Sequence, residues 1–334
     1  MSEDGNFTPA HWGGGGHDFK DAYSAYDQYA GRSYETAKLK QKDRKDLLPA
    51  ELTTNSSAPL VIVTDQTGSM DEWPKIMFSK LPYLELEACE YLGRDMEISW
   101  CAVGDAQKGE DYPVQGRPFT HGTDLKTKLM EIVLEGKGGG GGNETYELMA
   151  LYLARNVRMP RAIRRPICIL IGDEIPYDMI SPELAATYAR VKLSQPISTH
   201  EVFEELRRKF STYIIRKPYY TSNGDSMSSF DKKAIDLWAQ LLGGADHVAF
   251  LPQPERVVDV IFGILAKETG RVGYFREELE QRQLPDAGGD AKVKTVYKSL
   301  KTVHALPPPK AGGSANLSKT HGLGGGTPTK PLME

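Results

Sequence analysis

The sequence predicts an α/β fold, a doubly wound, mostly parallel central sheet with helices on both faces. Three observations carry this. Short, nearly uninterrupted apolar runs recur along the chain, as strands buried on both faces require. Segments with helical apolar spacing separate them. The two strongest runs, PLVIVT (59–64) and PICILIG (166–172), each end at once in an acidic turn, DQTGS and DE.

The elements follow in order. Residues 1–18 are polar and Gly-rich and predict a disordered start. Phe19, Tyr23, Tyr26 and Tyr29 recur at helical spacing, so 19–57 reads as a helical extension. Within it, KLKQKDRKDLL (38–48) reads as an exposed charged segment. The domain itself spans 58–270. After the first strand, Trp73 to Leu92 reads as helical, divided by Pro82. MEISWCAV (96–103) is a second strand and YPVQGRPFT (112–120) a shorter one. Leu125 to Leu134 is an amphipathic helix, GKGGGGGN (136–143) a loop, and Glu144 to Val157 a helix. After PICILIG, helices are expected at 182–191, 200–209, 232–242 and 254–268. Strands are expected at 211–216 and 247–251. Residues 271–305 form a second helical extension, broken near 286–291. The Pro-, Gly- and Lys-rich stretch 306–334 reads as a disordered tail.

Composition narrows the function. The chain has 334 residues, 40% hydrophobic and 26% charged, with a net charge of −4. Such a balance fits a soluble globular protein with no general pull toward nucleic acid or anionic membrane. Cys89, Cys101 and Cys168 are odd in number and form no CxxC. There is no apolar leader and no run of 18 apolar residues. These features predict a reducing, cytoplasmic setting and no membrane span.

In open α/β sheets, ligands bind beyond the carboxyl ends of the strands. The loops there hold Asp65-Gln66-Thr67-Gly68-Ser69, Gly142-Asn143-Glu144-Thr145 and Gly172-Asp173-Glu174. Asp65, Thr67, Ser69, Thr145 and Asp173 offer oxygen alone, two carboxylates and three hydroxyls. Hard oxygen donors suit Mg²⁺, Mn²⁺ or Ca²⁺, with Mg²⁺ or Mn²⁺ the ion expected here, and the lack of His or Cys argues against zinc. Neutral hydroxyls leave such an ion short of negative charge, so it calls for a carboxylate from outside.

A strand followed by D-x-[S/T]-x-S, a Thr before a later helix and an Asp after a later strand resembles the metal-ion-dependent adhesion site of von Willebrand factor A domains. GNETYEL (142–148) is similar to the Thr loop of anthrax-toxin-receptor-type A domains. The resemblance spans roughly residues 58–270 and implies a Rossmann-like fold and a binding module rather than an enzyme. It implies that Thr67, Ser69 and Thr145 touch the metal through their hydroxyls. Asp65 and Asp173 would act largely through bound water. Thr67 stands where Ser is more usual, and the five-glycine run (138–142) leaves Asn143 or Glu144 as alternatives to Thr145. The resemblance further implies a partner protein offering an acidic side chain, such as a MoxR-type AAA+ ATPase.

DQTGS also resembles DKTGT of the haloacid dehalogenase superfamily. That likeness makes Asp65 a nucleophile and Asp173 and Asp178 metal ligands. Gln66 replaces the Lys of that motif, and Thr67 stands where a proton-transferring acid is usual. Arg155, Arg158, Arg161, Arg164 and Arg165 form a basic cluster, read as a solvated helix end or an anionic docking patch. Trp73 reads as core, Asp105 as a strand end near the site, and His121 and His247 as structural.

Overall fold

The computed structural model describes residues 44–304 apart from 71–76, 78–79, 123, 134–141, 219–226 and 252. Seven buried residues in succession make Pro59–Asp65 (β1) an interior strand. It pairs in parallel with Glu97–Val103 (β2) on one side and Ile167–Gly172 (β4) on the other. Val114–Gly116 (β3) runs antiparallel along the outer edge of β2. Ser211–Arg216 (β5) and Val248–Phe250 (β6) extend the sheet in parallel beyond β4. The six-stranded order is therefore β3-β2-β1-β4-β5-β6. This is the doubly wound order, whose switch point lies between β1 and β4. Register carries Asp65 level with Val103, and Gly172 level with Arg216. The carboxyl edge thus lines up the acidic turns with the end of β5.

Alternate residues of β1 enter different layers. Leu60 and Ile62 pack with Leu84–Leu92 (α1), Asp124–Met130 (α2) and Val257–Thr269 (α7). Val61 and Val63 pack with Tyr146–Asn156 (α3), Pro182–Tyr188 (α4), Thr199–Lys209 (α5) and Ser229–Leu242 (α6). Each of these apolar side chains, buried on folding, stabilises by about 1.5–3 kcal/mol before entropy is subtracted. Local signals start the helices where expected. Ser181 caps α4 ahead of Pro182, and Ser198 with Glu201 forms a capping box on α5.

Val272–Gln283 (α8) and Gly289–Ser299 (α9) do not stand apart. Phe275, Leu279, Val293, Val296 and Leu300 join the same layer as α7. The segment 38–48 is not wholly exposed either. Arg44–Leu47 is a short helix, Leu47 and Leu48 are buried, and Arg117 donates to the Asp46 carbonyl. Leu52–Thr53 then pairs with Val157–Arg158. A 3-10 turn at Leu81–Tyr83, which contains Pro82, leads into α1. Trp73, the aromatic stripe 19–29, most of the glycine run and the tail 306–334 lie outside the described residues. No disulfide joins Cys89, Cys101 or Cys168. No described helix is long and apolar enough to cross a membrane.

Candidate metal centre

The turn after β1 is organised by its own first residue. Asp65 Oδ1 accepts from the Thr67 N–H (2.9 Å) and from the Thr67 hydroxyl (2.7 Å). This Asx-type turn aims both hydroxyls of the motif inward. Thr67 Oγ1 stands 3.0 Å from Ser69 Oγ, and the Ser69 hydroxyl donates to Asp173 Oδ1 at 3.0 Å. Asp65, Thr67, Ser69 and Asp173 therefore form one continuous line of oxygens across the switch point.

That line fits a small hard cation. Each hydroxyl has a single proton, and the carboxylates are the stronger acceptors. With both protons so committed, Thr67 and Ser69 keep lone pairs on two oxygens 3.0 Å apart. Cis oxygens around an octahedral ion with ~2.1 Å bonds stand about 3.0 Å apart, as these do. Among the described residues, no three His, Cys, Asp or Glu side chains converge to hold a metal by themselves. A cation here would draw on hydroxyls and water.

Thr145 does not join the line. It is fully buried at the start of α3, its hydroxyl donates to the Gly104 carbonyl, and its N–H does the same at 3.0 Å. Its neighbour reaches the site instead, since the Tyr146 hydroxyl donates to Asp65 Oδ2 at 2.5 Å. Of the two alternatives, Asn143 donates to the Pro176 carbonyl at 2.9 Å. Glu144 is fully buried and neither of its oxygens is hydrogen-bonded to a donor of another kind. It sits beside Glu174, to which its own carboxyl, kept protonated by burial, can donate. Asn143–Glu144 pairs with Ile175–Pro176 as a two-residue ladder, which holds the Thr loop against the third turn.

Charge is concentrated here. Burial, then the Asp173 carboxylate, push Asp65 up to about 7. Burial and Asp173 push Glu174 up to about 7 as well. Burial and Asp65 hold Glu144 far above the usual carboxylate range. Burial also raises Asp173, against the pull of Lys217. Lys217 donates to the Ser69 carbonyl and lies 3.4 Å from Asp173 Oδ2. Arg216, fully buried, donates to the Asp173 carbonyl at 2.7 Å and pairs with Asp231. Asp105 accepts from the Tyr177 hydroxyl at 3.1 Å, closing the rim. Asp178 is exposed, and its carbonyl receives the Thr199 N–H. Asp65 has no exposed surface and both its oxygens are engaged, which is poor geometry for a nucleophile.

Tyr146 and Glu174 lie inside the loops GNETYEL and Gly172-Asp173-Glu174 but have no assigned role there, and Arg216 and Lys217 lie in no motif. The available signal for the two cations was a strand, STYIIRK, ending in charge opposite an acidic turn. Gly172 shows how close the parts stand. A Cβ there would lie 1.8 Å from Tyr146 Oη and 3.0 Å from the Asp65 Cβ. Gly172→Ala is therefore expected to destabilise the protein by about 1–3 kcal/mol in urea unfolding. The loss should shrink in a Tyr146→Phe background, where the hydroxyl is gone, and a cost unchanged in that background would refute the clash.

No family model and no curated protein matches the chain. Among solved structures it is similar to the pilus adhesin SpaC from Lactobacillus rhamnosus GG. That likeness has 11% identity and a TM-score of 0.46, over 66% of this chain and 32% of that one. The open conformation of SpaC gives 10% identity and the same TM-score, over 66% and 31%. Proximal thread matrix protein 1 from the mussel byssus gives 11% identity and a TM-score of 0.42, over 63% and 47%. The chain spans less than half the length of each of these proteins.

Proposed function

We propose that this chain is a divalent-cation-dependent protein-binding module of the von Willebrand factor A type, not an enzyme. The observation that carries the reading is the pair of hydroxyls, Thr67 and Ser69, 3.0 Å apart with their protons drawn to Asp65 and Asp173. Bound Mg²⁺ or Mn²⁺ would supply a Lewis-acidic point for an outside carboxylate. Thr67 and Ser69 would hold it directly and Asp65 and Asp173 through water, with Thr145 supporting the loop from behind.

The chain's own groups set the rest. Tyr146 fixes the rotamer of Asp65, and Asp65 in turn fixes Thr67. Arg216 and Lys217 tie the Asp173 turn and the Ser69 carbonyl together. Gly68 is exposed and Ser69 half-buried, so the mouth of the site opens over this turn. A partner presenting an Asp or Glu side chain, an AAA+ ATPase of MoxR type among them, is the proposed occupant, in a cytoplasmic setting.

The test is recovery of partners on immobilised wild type and Ser69→Ala, each with Mg²⁺ and with EDTA. Recovery confined to wild type with Mg²⁺ is expected. Equal recovery in all four arms would sink metal-mediated binding.

A further inference from the structure

At the amino edge of the sheet, opposite the acidic turns, a cavity of about 450 Å³ opens between the last turn of α5, the start of β5 and the end of α6. Arg165, Arg207, Arg208, Glu204, Thr212 and His247 line it. Thr212 faces this layer because Ile214, two residues on, packs against α5 and α6, while Tyr213 and Ile215 face the other side.

Three features mark it as a ligand site. Thr212 is 1% exposed, yet its hydroxyl has no hydrogen-bond partner. The Arg207 Nε is also buried without a partner, and among the described residues neither Arg207 nor Arg165 forms an ion pair. Buried donors left unmet in this way cost about 1–3 kcal/mol each. Gly243 makes room for the Arg207 guanidinium. A Cβ there would come 2.6 Å from Nη1, and its φ of +88° suits glycine on separate grounds. Cations in the last turn of a helix match its dipole, which accounts for Arg208 paired with Glu204 at 3.4 Å. It does not account for the orphaned Thr212 hydroxyl.

We propose that this cavity binds a phosphate-bearing small molecule of about mononucleotide size. Three guanidiniums face one carboxylate, in a chain of net charge −4, so the positive potential is local. Guanidinium forks match phosphate oxygens. A volume of 450 Å³ lies within the range of small-ligand sites. His247 is already engaged with the Thr212 carbonyl at 2.8 Å and shapes the wall.

The test is calorimetric titration with inorganic phosphate, pyrophosphate and AMP in EDTA, so that the acidic edge holds no cation. Citrate serves as the carboxylate control. Binding of a phosphate compound is expected, about tenfold or more weaker in Arg207→Gln, since a charge-assisted hydrogen bond is worth at least that. Arg165→Gln, an exposed change that leaves the core intact, is expected to weaken it several-fold, and Ser69→Ala to leave it unchanged. Failure of every phosphate compound to bind at millimolar concentration would overturn the proposal. So would tighter binding of citrate, or equal binding by wild type, Arg207→Gln and Arg165→Gln.

Discussion

Arg216→Met is expected to destabilise the protein by about 3–5 kcal/mol, among the largest effects of any single substitution near the site. The guanidinium is fully buried, paired with Asp231, and donates to the Asp173 carbonyl. It also lies over the Phe230 ring, 5.7 Å from the centroid. Methionine fills much of the same volume but leaves the Asp231 carboxylate, 1% exposed, without its cation. The Ser228 hydroxyl also donates to that carboxylate at 2.8 Å, but it carries no charge. Urea unfolding of wild type and variant measures the loss directly. A loss below about 1 kcal/mol would mean that the pair is not the clamp on the third turn described here. Arg216→Met together with Asp231→Leu should recover part of the stability, because an apolar pair removes the stranded charge.

The second large effect concerns pH. In the absence of divalent ions, stability is expected to fall as pH rises from about 5 to 7.5. The sign follows from Asp65. Its carboxyl titrates near 3.8 when unfolded and is pushed up to about 7 in the fold, by burial and Asp173. Between those values the folded protein holds a proton that the unfolded chain has lost. The stability this gives is complete below the unfolded value and is lost as pH passes through about 7. Each such proton changes stability by at most about 1.4 kcal/mol per pH unit. Glu174, also pushed up to about 7, adds to the same slope. Surface acids with lowered values, such as Glu205 beside Arg155, are ionised in both states across this window and do not contribute. Mg²⁺ should reverse the trend, because a cation replaces the proton and its stabilisation grows with pH. Thermal unfolding at a series of pH values, with EDTA and with Mg²⁺, reads both slopes. A flat or rising curve in EDTA would contradict the account of the buried acids.

The fold was legible because its strands are buried on both faces and therefore read as apolar runs. β1, β2, β4 and β5 need no long-range information to be recognised. The edge strand was less so, since Val114–Gly116 has only three residues and one partner. The two-residue ladder of Asn143–Glu144 with Ile175–Pro176 is too short for any periodicity. For the site, Asp65, Thr67 and Ser69 are neighbours in sequence, and the turn that joins them is local. Asp173 follows from the position of a strong strand. Thr145 was expected beside them, but its single proton goes to a carbonyl on the turn after β2. Tyr146 and Lys217 reach Asp65 and Ser69 across 81 and 148 residues, and no spacing along the chain encodes such contacts. The contact between the carboxyls of Glu144 and Glu174 likewise emerges only when two loops close on each other.

The most direct test of the central claim is calorimetric titration of Mg²⁺ into wild type and Ser69→Ala, followed by exposure of the Mg²⁺-loaded wild type to acetyl phosphate. Binding to wild type, its loss in Ser69→Ala, and no turnover or covalent phosphate on Asp65 are expected. Equal Mg²⁺ binding by both proteins, or a trapped aspartyl-phosphate, would contradict that claim.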